Sequence, residues 1–104
     1  REHMCAMLLN VKNHIIAWET ISIGSLDASV VHPREVFKPA IIKGAASIIL
    51  VHNHPSGDPT PSREDLEVTA RMVQVGKIMN ISVLDHIIVG GDKFVSLKEK
   101  GVIK

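Results

Sequence analysis

Two histidines two residues apart, His52-Asn53-His54, are followed after a short loop by Ser62 and Asp65. Side chains alternate along an extended segment, so His52 and His54 project to one side. Two imidazoles, one carboxylate and an open fourth position make a catalytic zinc site, with Zn–N distances of about 2.0–2.1 Å. A metal held in this way lowers the pKa of its water to about 7 and polarises a carbonyl. A second carboxylate is then needed to take the proton of the water and pass it to a leaving nitrogen.

Each member of this set also has an ordinary reading. Ser62 and Asp65 fall at the N-cap and N3 positions of the next helix, a capping-box spacing with Asp in place of Glu. A His-x-His at a strand end is common in itself. The case for a metal rests on conjunction: paired histidines, a Pro/Gly loop and a helix-start carboxylate all point to one place.

The elements that must position these residues follow from the pattern of apolar residues. Met4–Leu9 reads as a buried strand, Lys12-Asn13 as a hairpin turn and His14–Ile23 as the returning strand. Gly24–Ser29 is a polar loop. Pro33 suits a first helical position, with a helix over Arg34–Lys43 that Pro39 should kink or split and Gly44 should end. Ala46–Val51 reads as a central strand buried on both faces, delivering the histidines at its carboxyl end. Pro55–Pro61 is a loop. Ser62 caps a helix over Arg63–Met79 with two apolar stripes, Leu66, Ala70, Val73 and Val68, Met72, Val75, Met79, which predicts cover on more than one side. Ile81–Val89 and Lys93–Leu97 are strands joined at Gly90-Gly91-Asp92, and Ser96–Lys100 caps a last turn. The order β-β-α-β-α-β-β predicts an α/β fold, a mixed sheet flanked by helices. Such sheets place ligands at strand carboxyl ends leading into helix N-termini, where the histidines lie.

Composition bounds the function classes. The chain has 104 residues, enough for one domain with a modest core, and 45% of them are hydrophobic. A formal charge of +1, from 12 basic against 11 acidic residues, argues against nucleic-acid binding as the main task of this domain. Aromatic residues make up 3%, too few for a base-stacking platform. Cys5 is the single cysteine, which rules out an internal disulfide or a CxxC site and suits a reducing cytoplasm. No apolar run approaches bilayer length, so no membrane span is expected. The abrupt start at Arg1-Glu2 suggests the domain of a longer protein.

At the histidines the chain resembles the JAMM motif of the MPN/JAB metalloprotease superfamily: an upstream glutamate, then His-x-His, seven residues, Ser, two residues, Asp. His52-Asn53-His54, Pro55–Pro61, Ser62, Arg63-Glu64 and Asp65 match it without a gap. More closely, the chain looks like the carboxyl-terminal domain of the bacterial RadC family. Glu2-His3, Leu8-Leu9-Asn10, Gly24-Ser25-Leu26-Asp27, Val31–Phe37, His52–Gly57 and Leu84–Ile88 carry that likeness across nearly the whole chain.

The resemblance implies a cytidine-deaminase-like α/β fold and a zinc-dependent hydrolase of a peptide, isopeptide or related amide bond, acting on a protein or peptide substrate. It implies His52, His54 and Asp65 as ligands of one Zn2+, Ser62 as a hydrogen-bonding aid to the oxyanion, and Glu2 as the general base. Glu19 and Glu35 compete for the base role. Glu35 reads better as a helix-start carboxylate, and Glu19 as solvent-facing. The chain departs from the family at Pro39, and in carrying one aromatic where a pair is usual near Phe94-Val95.

Of the remaining candidates, His86 reads as a core or edge histidine paired with Asp85 or with backbone, with support of the metal ligands from behind as the alternative. His32 reads as a loop-shaping residue, His3 and His14 as surface residues, and Cys5 as a small apolar residue. The alternative function is a non-catalytic MPN-type interaction module of a DNA-repair-associated protein, a label the RadC family carries. A deaminase needs a His/Cys/Cys metal set that a single cysteine does not supply. A homodimer through an apolar edge strand at either terminus is a further expectation.

Overall fold

Strong β-formers at alternating depth build the sheet first. In the computed structural model of the chain, which describes residues 1–24 and 31–104, β1 (His3–Leu9) and β2 (Ile15–Ile23) form an antiparallel hairpin. Asn13 takes the left-handed turn conformation at φ 62°, which Asn tolerates better than most residues. Helix α1 (Pro33–Ile42), β3 (Ser47–Asn53), α2 (Arg63–Met79), β4 (Ser82–Gly90) and β5 (Lys93–Ser96) complete the order. The five strands lie as β2-β1-β3-β4-β5. β1 pairs antiparallel with β3, β3 parallel with β4, and β4 antiparallel with β5. This is the mixed sheet with helices that the element order predicts, and α2 is the crossover that a parallel pair requires.

The core occupies one face of the sheet. Met4, Ala6 and Leu8 of β1 lie beside Ile48 and Leu50 of β3, and Val36, Phe37 and Ala40 of α1 and Val68 and Met72 of α2 close over them. Both helices therefore sit on the same face. The expectation that β3 is buried on both faces is not met: Ser47, Ile48, Leu50 and His52 are buried, whereas Ile49, Val51 and Asn53 are only half-buried. β3 still sits centrally, but the opposite face has no helix over it among the described residues.

Other local expectations resolve similarly. Pro39 leaves α1 a single helix, although its missing N–H deprives the Glu35 carbonyl of its usual partner. The buried stripe of Val36, Phe37 and Ala40 holds the helix together across that gap. In α2 a single stripe is buried, made of Asp65, Val68, Thr69, Met72 and Gly76, while Leu66 and Met79 remain exposed. Val73 and Val75 are half-buried against the edge of the core, so cover extends only part-way beyond that stripe. The Gly24–Ser29 loop, Gly24 apart, lies outside the described residues. β1 is paired on both sides, so the sheet edges are β2 and β5 and not the N-terminal strand.

Candidate metal centre

Register decides what meets the histidines. Met4 of β1 stands opposite His52 of β3, so the residues just before β1 reach the carboxyl end of β3. Glu2 arrives there, with its Oε1 3.7 Å from His52 Nε2. Its backbone carbonyl accepts from Gly24 N at 2.8 Å. Asn53, between the two histidines, points the other way and clamps the incoming chain: its Oδ1 accepts from His3 N, and its Nδ2 donates to the Arg1 carbonyl at 3.0 Å.

From the other side, α2 delivers Asp65. Ser62 N donates to Asp65 Oδ2 at 2.7 Å, and Asp65 N donates to Ser62 Oγ at 3.1 Å, a closed capping box. The capping reading and the ligand reading are therefore both satisfied, because a carboxylate has two oxygens. Oδ2 takes the cap and also lies 2.9 Å from His54 Nε2, while Oδ1 lies 3.0 Å from His52 Nδ1. The two rings stand edge to face, with centroids 5.0 Å apart.

The chemistry of this cluster fits a cation. Asp65 and His52 are buried, and His52 Nδ1, His52 Nε2 and Asp65 Oδ1 make no hydrogen bond of proper geometry. Such atoms are costly unless something satisfies them. His54 presents the same problem differently. Its Nδ1 faces the Asp58 carbonyl at 2.9 Å and its Nε2 faces the Asp65 carboxylate, both acceptors. A neutral ring has one N–H and can serve only one of them. A metal ion at Nε2 would satisfy the ring lone pair and the carboxylate together. Burial alone would raise the Asp65 pKa, but His52 and the amide and side chain of Ser62 more than offset it and hold the carboxylate well below its usual range. It is the ionised form that ligates a metal.

The structure brings together all five residues singled out in the sequence. Glu2, His52 and His54 offer ligand atoms within 4.8 Å of one another, and Asp65 touches both rings. An open groove of about 390 Å³ leads to them, bordered by Ser56, Asp58, Thr60 and Glu64 of the loop and the first turn of α2.

The competing residues are elsewhere. Glu35 accepts from the His32 amide at 3.2 Å, so it caps α1 as expected. Glu19 is not solvent-facing: it is half-buried and paired with Lys43, which ties β2 to the end of α1. His86 does not pair its ring with Asp85, whose carboxylate accepts instead from the His86 amide, Ser96 Oγ and the Lys98 amide. The His86 ring meets Thr69 Oγ1, which also bonds the Asp65 carbonyl at 2.6 Å. Its centroid lies 6.3 Å from that of His52, and burial pushes its pKa down to about 4. Asn53 and Thr69 are contributors that the sequence did not single out, and His86 takes the supporting place that the sequence reading held only as the alternative. Only the placement of Asn53 inside His-x-His hinted at a task on the opposite face of the strand.

Fold and site agree with the match to known families. Residues 1–102 match the family described as RadC-like JAB domain. The chain belongs to that family. RadC-like relatives of high identity are named only as UPF0758 proteins. One from Desulforamulus reducens is 66% identical over 103 residues, which is 99% of this chain and 45% of the relative. Another, from Caldanaerobacter subterraneus subsp. tengcongensis, is 68% identical over 101 residues, 97% of this chain and 43% of the relative. A third, from Methanococcoides burtonii, is 61% identical over 103 residues. This RadC-like domain thus spans a little under half the length of these relatives. No helix among its described residues is long and apolar enough to cross a membrane.

Proposed function

We propose that this domain is a zinc-dependent hydrolase of the JAMM type that cleaves a peptide, isopeptide or related amide bond. The observation that carries the reading is the buried cluster in which ring nitrogens of His52 and His54 lie 3.0 and 2.9 Å from the two oxygens of the Asp65 carboxylate, with His52 Nδ1, His52 Nε2 and Asp65 Oδ1 making no hydrogen bond of proper geometry. Two nitrogens and one carboxylate with an open side suit zinc among the common metals. Bound there, zinc supplies a Lewis acid for an amide carbonyl and acidifies a water.

The residues divide the remaining work by exposure. His52, His54 and Asp65 hold the ion, and Asp65 is inaccessible to solvent. The Glu2 side chain keeps about a quarter of its surface exposed, 26%, so it can exchange protons with the groove. It takes the proton of the attacking water and returns it to the nitrogen of the breaking C–N bond. Ser62 Oγ accepts from the Asp65 amide, and its own proton is left to donate to the developing oxyanion. A purely non-catalytic module would not require this division, which supports the catalytic reading over the alternative. Within a longer RadC-like protein, we assign this chain the carboxyl-terminal catalytic domain.

Metal content tests the reading. The purified protein should hold about one zinc per chain, and the double variant His52→Ala, His54→Ala should hold none. A wild-type protein that neither carries nor takes up zinc would overturn it.

A further inference from the structure

A feature remote in sequence fixes the orientation of His54. At Gly90, the last residue of β4, a Cβ atom would lie 2.7 Å from Pro59 N, 2.8 Å from the Asp58 carbonyl carbon and 2.8 Å from Gly57 O. The loop backbone over 57–59 therefore rests directly on the end of β4, at a distance that only glycine permits. The same strand end holds His54 itself, whose amide donates to the Val89 carbonyl at 2.7 Å. Loop and histidine are thus referenced to one point. Their mutual contact follows: His54 Nδ1 lies 2.9 Å from the Asp58 carbonyl. A carbonyl only accepts, so this contact requires the proton on Nδ1, and in the neutral ring it leaves Nε2 bare, aimed at Asp65, where a metal would bind.

We propose that Gly90 is a positioning residue for the metal ligand His54, acting through the loop over 57–59 and the Asp58 carbonyl to select the imidazole tautomer that binds the ion through Nε2. This inference rests on the metal-centre reading above and goes beyond it to a residue 36 positions away in sequence. The loop is braced for the task from its own side. Asp58 Oδ1 accepts from Thr60 N at 3.0 Å and from Thr60 Oγ1 at 2.7 Å, and Gly57 N donates to the His54 carbonyl at 3.1 Å. Partners that orient a metal-bound histidine through its far nitrogen typically change affinity by about 10–100-fold when lost.

The test measures zinc affinity by competition with a chelating dye, and follows the Nδ1–H proton of His54 by NMR in the zinc-loaded protein. Wild type should show that proton hydrogen-bonded and slow to exchange with solvent. Gly90→Ala should lose its protection and weaken zinc binding by about 10–100-fold, with the fold intact by circular dichroism. Asp58→Ala introduces no clash with β4 and removes only the loop brace. It should shift both readouts in the same direction, and Asp58→Asn, which keeps the acceptor oxygen, should restore them. The Asp58 pair decides the matter if Gly90→Ala does not fold. Wild-type affinity and a protected proton in the folded variants would overturn the proposal while leaving the metal site standing. A wild-type protein that binds no zinc would overturn both.

Discussion

Glu2 and Asp65 are both carboxylates beside His52, and the difference between them is one of access. Asp65 is enclosed, capped by Ser62 N and held ionised; Glu2 reaches the groove. Glu2→Gln should accordingly keep zinc at wild-type stoichiometry and lower turnover by about 10²–10⁴-fold, the usual worth of a positioned acid–base group. Metal analysis beside hydrolysis of a peptide or isopeptide panel checks this. Asn53→Ala should resemble Glu2→Gln in a weaker form, because Asn53 pins Arg1 and His3 on either side of the base. It should lower kcat and leave zinc content unchanged. Loss of metal in either variant would contradict the assignment of roles.

Among the elements, β4 and α2 meet at a polar contact inside an otherwise apolar layer. His86 is fully buried, and its Nδ1 shares Thr69 Oγ1 with the Asp65 carbonyl. With its pKa lowered to about 4 in the folded state against 6.5 for the free group, the ring stays neutral on folding. The unfolded chain takes up a proton between those two values and the folded chain does not. Stability from this group is therefore complete above about pH 6.5 and falls as the pH drops toward 4, by roughly 3 kcal/mol at most. The urea midpoint should fall markedly from pH 7 to pH 4.5 in wild type and by less in His86→Gln, which lacks the titrating ring. An equal acid loss in both proteins would place the sensitivity elsewhere. The edge strands raise a separate matter. β2 exposes Ile15, Trp18 and Ile23, and of the two edges it is the longer and more apolar, hence the one suited to pairing with a second copy.

For the molecule as a whole, the core and the metal centre are separate assets. Met4, Ala6, Leu8, Ile48, Leu50, Val68 and Met72 form one cluster, none of which lines the open groove, and burial of each large apolar side chain contributes about 1.5–3 kcal/mol. The fold should thus survive chelation. EDTA should lower the melting temperature by the amount mass action dictates for a bound ligand, yet leave far-UV circular dichroism at room temperature unchanged. Unfolding on chelation would mark the zinc as structural.

The division between what the chain states locally and what folding adds follows from the range of the interactions. His-x-His on one face, the Ser62–Asp65 cap and the helix behind it are set by neighbours within a few residues, through strand alternation and the need to satisfy the first helical amides. These were legible in the residues themselves, and the likeness to the RadC family added Glu2. Contacts across the sheet were not legible. The β1–β3 register brings Glu2 and Asn53 together from 51 positions apart. The parallel β3–β4 pairing sets Gly90 under the loop after His54. Packing of α2 on β4 joins His86 to Thr69, and placement of both helices on one face leaves Ile49 and Val51 half-buried. No spacing rule announces such pairings, because each depends on which strand lies next to which, and that is decided by how the whole chain buries its apolar side chains at once.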